Sequence, residues 1–228
     1  MQESDVNAEF TQTSMSNYFH EIFGNDQPTY SLEDAVEDII KENRSGIFAM
    51  DEGSLRDYAV KCSEIAGDIK QFRGPIALTV AEIASITLFT AEFDAPNDSL
   101  YKVLNDVLRV EIRLQIRPFC RLIWLMLNGM KKCPSYECLG SKLVYRGISG
   151  GVDMDGYVAG HIVVWKQFSS CSSNLKTQET FLNKAGPRVM FVIELTTGRG
   201  KIIQQFSYHS GEEEARFRAK LFIFHFYF

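Results

Sequence analysis

What this 228-residue chain lacks narrows its reading first. It has no apolar run that could span a membrane: the most apolar helical stretch, Leu122 to Leu127, is six residues long, where about 20 are needed. It has no basic excess either. Lys and Arg number 24 against 29 Asp and Glu, a formal charge of -5, whereas non-specific nucleic-acid binding draws on a basic face. No nucleic-acid partner is therefore expected. The five cysteines, Cys62, Cys120, Cys133, Cys138 and Cys171, are an odd set and a poor disulfide framework. No second pair follows Cys133 and Cys138 at metal-ligand spacing, so no metal is expected. The opening residues, MQESDVNAEFTQTSMSNYF, carry early acids and no apolar h-region of a secretory leader. The expectation is a cytoplasmic chain with free thiols, a non-classical export route being left open. No internal repeat is present.

What remains is ordinary for a soluble globule: 45% hydrophobic and 23% charged residues. A chain of this size buries roughly 70% of its unfolded surface, which excludes disorder, a collagen-like fibre or a coiled coil as the main architecture. Residues 1–28 are polar and read as a loose lead-in. Helical grammar then takes over. Ser31 with Asp34 resembles a capping box ahead of Leu32, Ala35, Val36, Ile39 and Ile40. Ser54 with Asp57 opens a second stripe through Leu55, Tyr58, Ala59, Cys62, Ile65, Ala66 and Ile69. Thr79 with Glu82 opens a third through Ile83, Ile86 and Phe89. Asn97-Asp98-Ser99 caps a fourth containing Val103, Leu104, Val107 and Leu108. Phe119 to Met130 reads as a buried helix closed by Lys131, Lys132 and Pro134.

After Pro134 the pattern shortens. Residues 142–146, 161–168, 189–196, 201–207 and 221–228 are β-branched or aromatic runs, and the glycine clusters 147–151, 186–187 and 198–200 read as turns. The last run, LFIFHFYF, is very apolar for an edge strand and needs cover. Helices followed by strands predict an α+β fold, with a helical part over 29–132 and a β part over 140–228 in a single domain spanning 29–228.

Three features could carry chemistry. Arg146 closes a short strand and is followed by Gly147, a pairing suited to phosphate because the guanidinium fork is bidentate and glycine permits close approach. The serines of Phe168-Ser169-Ser170-Cys171-Ser172 could orient a polar ligand. Glu212 and Glu214 fall on one face of an extended chain, a repulsive pair unless positive charge uses it. Each alone has a bland counterpart: a surface arginine, a serine loop, a solvated acidic turn. A Cys–His nucleophile using Cys171 lacks an identifiable base, and His209 reads as a loop residue.

Together these residues resemble the arginine-specific mono-ADP-ribosyltransferases of the R-S-E class. The likeness lies in Tyr145-Arg146-Gly147, the Phe168 to Ser172 stretch and Glu212-Glu213-Glu214. It extends to Glu82-Ile83-Ala84, Leu88-Phe89-Thr90, Tyr101, Leu104-Asn105 and Leu108-Arg109 in the helical half, about residues 17–217 in all. Departures are Cys171 where the family usually has Thr, a poorer hydrogen-bonding group, and Ala215 to Ala219 where it continues with Val-Leu.

The resemblance implies a strand-rich NAD-binding half and transfer of ADP-ribose from NAD, or NADP, to arginine side chains of a protein substrate, with nicotinamide released and no metal. Arg146 is then expected to grip the pyrophosphate and the Gly147 backbone to pair with the nicotinamide amide. Gln167 and Ser170 are expected to hold the nicotinamide ribose, with Ser207 as a further NAD contact. Glu214 is expected to stabilise the oxocarbenium-like transition state and Glu212 to receive the arginine. The alternatives are an NAD glycohydrolase and a degenerate NAD-binding or protein-interaction module.

Overall fold

A computed structural model of the chain describes residues 29–43, 51–72, 76–93, 99–110, 112–136, 143–150, 153–179, 182, 185–195, 200–208 and 220–223. The polar lead-in lies outside them, as do Asn97, Asp98, Cys138, His209 to Ala219 and residues 224–228.

The helices follow their apolar stripes. They are α1 (Leu32–Asn43), α2 (Glu52–Phe72), α3 (Val80–Thr90), α4 (Leu100–Val110) and α5 (Arg113–Ile116), which runs through the 3-10 turn Arg117–Phe119 into α6 (Cys120–Lys132). At α1 the expected cap forms: the Ser31 hydroxyl accepts from the Asp34 N–H at 3.0 Å, and Asp34 accepts from the Ser31 N–H at 3.4 Å. Helix α2 begins earlier than its Ser54–Asp57 pair predicts. Asp51 is the capping residue, accepting the Ser54 N–H at 2.7 Å, because a carboxylate meets free N–H groups at a helix start better than a hydroxyl one turn later.

Helix α3 carries more than the predicted stripe. Ile83, Ala84, Ser85, Ile86, Thr87, Leu88 and Phe89 are all buried, so it is surrounded on every side. Its capping box is complete, Thr79 accepting from the Glu82 N–H at 3.2 Å and Glu82 from the Thr79 N–H at 2.8 Å. Glu82, only 6% exposed, also receives Lys132 Nζ at 2.6 and 2.7 Å. Lys132 thus closes α6 by joining it to the start of α3. Gly129 lets the two helices approach, since a Cβ there would lie 3.1 Å from both Glu82 Cβ and Ile86 Cδ1.

The second half forms β1 (Leu143–Ser149), β2 (Ser169–Ser172), the short helix α7 (Leu175–Glu179), β3 (Arg188–Glu194), β4 (Gly200–Ile202), a 3-10 turn at Gln204–Phe206 and β5 (Lys220–Ile223). They make one antiparallel sheet in the order β3-β1-β2-β5-β4. The α+β expectation is therefore met, with several strand boundaries corrected. Arg146 does not close its strand but stands in the middle of it, opposite Phe191, and the predicted turn at Gly147 to Ser149 continues the ladder.

Residues 161–168 form no strand, although their β-branched content predicts one. Ile162 is 77% exposed, and Trp165 packs its ring on Phe191 instead of pairing backbone. The place beside β1 goes to Ser169–Ser172, whose small side chains fit a crowded central strand. β4 stops at Ile202 because the chain turns to give the Phe206 carbonyl to Thr87 Oγ1. β5 is no edge: it pairs β2 on one side and β4 on the other, so its backbone groups are covered. The large core draws on all the longer helices and takes in Phe168, Ile203 and Phe206 from the sheet half. Among the described residues no helix is long and apolar enough to cross a membrane.

Candidate active site

The sheet opens where the candidate residues lie. β1 and β3 pair over seven positions, Leu143 with Glu194 through Ser149 with Arg188, yet β1 meets β2 only at Tyr145 and Ser172. Beyond that single pair the two central strands part. β2 instead follows β5, with Ser170 opposite Phe222.

Arg146 bridges the split. Its Nη1 donates to the Ser170 carbonyl at 3.0 Å, and its guanidinium lies over the Trp165 ring, 5.7 Å from the centroid. Its Nε is buried and has no hydrogen-bond partner among the described residues, and none of the ion pairs among them involves Arg146. Burial depresses the Arg146 pKa most; Cys171 opposes it, Arg109 adds to the depression and Tyr157 opposes it least. Guanidinium stays charged at any ordinary pH. A desolvated cation with one neutral acceptor and one unfilled donor among the described residues is matched to an anion that can take the fork. The Ser169 hydroxyl beside it is buried and also without a partner among the described residues.

The aromatic surround fixes the fork from one side. Trp165 and Tyr157 both pack on Phe191, the β3 residue opposite Arg146, with ring centroids 5.1 Å apart in each pair. Trp165 Nε1 donates to the Tyr157 hydroxyl at 2.8 Å. The irregular segment 153–168 thus folds an aromatic wall over the face that carries Arg146.

Packing within the protein also calls for glycine at position 147. A Cβ there would sit 2.6 Å from the Gln178 carbonyl oxygen and 3.1 Å from Leu182 Cδ2, so the segment carrying helix α7 lies close against the strand. The Gly147 N–H donates to Gln178 Oε1 at 2.9 Å. Gln178 had no signal in the sequence: it is one polar residue in a short helix capped by Asn174, which accepts the Lys176 N–H at 3.0 Å.

Asn105 was visible only as part of the family-like Leu104-Asn105 pair, with no role attached. Its carboxamide clamps one residue at both backbone ends: Oδ1 accepts the Phe168 N–H at 3.0 Å and Nδ2 donates to the Phe168 carbonyl at 3.3 Å. This sets helix α4 against the entry to β2 and fixes the chain between Gln167 and Ser169. The segment ahead of the acidic run is tied down similarly. Thr87 donates to the Phe206 carbonyl at 2.8 Å and the Tyr208 N–H reaches Thr90 at 2.9 Å.

Of the residues singled out in the sequence, Arg146, Gly147 and Ser170 come together at the split. Gln167 lies just before the clamped Phe168. Ser207 is buried between the two ties to α3, and no described contact joins it to Arg146. Glu212 and Glu214, with Glu213, lie outside the described residues.

The concern over Cys171 is answered by its surroundings. It is fully buried with Tyr136, Val144 and Leu195, a small apolar cluster that suits a thiol better than a hydroxyl. Burial pushes the thiol up to about 12, as it does for Cys133. Neither is a thiolate near neutral pH, so neither supplies the alternative nucleophile.

A family model described as NAD:arginine ADP-ribosyltransferase matches residues 55–218. No curated protein and no solved structure matches the chain.

Proposed function

Because this chain belongs to the NAD:arginine ADP-ribosyltransferase family, with ADP-ribosyl transfer from NAD as its chemistry, we propose that its acceptor is an arginine side chain on a protein. The observation that carries the reading is Arg146: a desolvated guanidinium whose Nε has no partner among the described residues, held to Ser170 at a split in the sheet. A pyrophosphate is the anion that such a fork grips, and the grip is the same for NAD and NADP.

In this reading Arg146 holds the pyrophosphate, and Ser170 and Gln167 hold the nicotinamide ribose. The Gly147 N–H receives the nicotinamide carbonyl, and Ser207 is a further NAD contact. Glu214 bonds the ribose 2′-hydroxyl and opposes the positive charge that develops as the C1′–N bond breaks. It acts more strongly in the transition state than before it. The bond's electron pair leaves with nicotinamide. Glu212 holds the acceptor guanidinium, whose nitrogen forms the new bond to C1′ and gives up one proton to that carboxylate. No metal is needed, because the leaving group is already cationic while bound.

The test is release of nicotinamide from labelled NAD with agmatine as the arginine mimic. Wild type should release nicotinamide and label agmatine. Glu214→Gln should lose both, by at least about 100-fold, the scale of a lost electrostatic transition-state contact. Glu212→Gln should lose agmatine labelling while retaining NAD hydrolysis. Full activity of Glu214→Gln overturns the assignment.

A further inference from the structure

The Gly147 N–H is the backbone donor immediately after Arg146, at the point where β1 has parted from β2. Its partner is not a strand carbonyl but the side-chain oxygen of Gln178, 2.9 Å away. Because the donor is an N–H, the oxygen of the Gln178 amide must face it. Gln178 is 5% exposed. A buried polar chain is tolerated only where its hydrogen bonds are made, and an apolar residue would fill the same space without that demand. The residue is carried on α7, a five-residue helix lying outside the sheet. It can leave Gly147 without breaking any ladder bond.

The chemical identity of the acceptor is the informative part. A glutamine side chain ends in a primary carboxamide, the same group that nicotinamide carries on its ring. We infer that Gln178 is an internal competitor for the nicotinamide carboxamide: its amide occupies the Gly147 N–H and must withdraw for the nicotinamide end of the substrate to bind. Gln178 thereby sets how tightly that end is held. The competition taxes affinity by the fraction of molecules in which the donor is already taken. This inference rests on the proposed reading of the split as the NAD site and adds a determinant that the reading does not contain.

The test measures direct binding of nicotinamide by thermal shift and calorimetry, alongside its inhibition of NAD turnover. 3-Methylpyridine, which keeps the ring and lacks the carboxamide, is the control probe. Gln178→Met keeps the length and removes the acceptor, and Gln178→Ala removes the chain. Either folded variant should bind nicotinamide about 3–10-fold more tightly and show a matching fall in KM for NAD, consistent with removing a pre-existing closed population. Binding of 3-methylpyridine should not change. A merely structural glutamine gives the opposite result, weaker binding of both probes. Unchanged or weakened nicotinamide binding in Gln178→Met overturns the inference. The two proposals fail separately. A wild type that does not turn over NAD, but binds nicotinamide more tightly after Gln178→Met, loses the transferase reading and keeps the competitor. Turnover without any gain in the variants does the reverse.

Discussion

The helical and sheet halves of this protein satisfy their polar groups in different ways. In the helical half the buried charge of Glu82 is fully answered: Glu82 closes a capping box and receives Lys132 on both oxygens. In the sheet half Arg146 has, among the described residues, a single neutral acceptor and a buried Nε with no partner. The first arrangement supports the packing of α3 on α6, whereas the second stores binding capacity at a break in the sheet. A molecule that leaves a cation underserved in its interior is organised there for a ligand rather than for stability.

The strongest test of that contrast is Arg146→Met. Loss of the fork should lower kcat/KM for NAD by about 100-fold or more, the scale of a lost charged contact. The melting temperature should hold or rise, because a desolvated unpaired charge is removed. A clear drop in melting temperature would make Arg146 a structural residue and erase the distinction. Glu82→Ala should behave inversely. Losing the cap and the ion pair should lower stability by about 3 kcal/mol, measured by urea unfolding, with activity per folded molecule unchanged. Lys132 is 37% exposed, which keeps the effect below that of a fully buried pair.

Asn105→Ala probes the seam between the halves. Two lost hydrogen bonds to the Phe168 peptide should reduce stability by about 1–2 kcal/mol. The KM for NAD should rise several-fold, since β2 carries the carbonyl that steadies Arg146. Asn105→Asp, which keeps the acceptor and loses the donor, should fall between the two. An unaltered KM in both variants would uncouple the helices from the site.

At neutral pH the smallest effect comes from the buried thiols. Cys62, Cys133 and Cys171 are each raised by burial from about 9 to about 12. The unfolded chain ionises first, so the stability they contribute is complete below pH 9 and drains away as pH climbs toward 12. Melting temperature should fall above pH 9, and iodoacetamide should leave all three unmodified at pH 7. Rapid labelling of Cys171 at pH 7 would contradict its burial.

Much of the helical half was legible because its signals are local. The Ser31–Asp34 and Thr79–Glu82 caps and the stripes through Leu32, Leu55, Ile83 and Val103 depend on neighbours three or four residues away. Helix α3 exceeded its stripe only because other elements enclose it on every side. The sheet half was read less well for the corresponding reason. Whether 161–168 or 169–172 forms a strand depends on which backbone finds a partner, and partners such as Lys220 to Ile223 lie about 50 residues away. The family-like residues Arg146 and Ser170 could be picked out, but not their contact. Gln178 was silent and Asn105 showed only as a family-like residue with no role, because a lone amide in a short helix or a half-buried stripe carries no periodic signal.

Sequence alone determined the α+β order, the helix faces and the family-like residues, since each follows from local spacing or residue chemistry. Tertiary structure decided that the serine run becomes a central strand and that β5 is covered on both edges. It also put Gln178 on the Gly147 N–H and left Arg146 with no ion-pair partner among the described residues. These depend on long-range competition for backbone partners and on desolvation, and both arise only when distant segments meet.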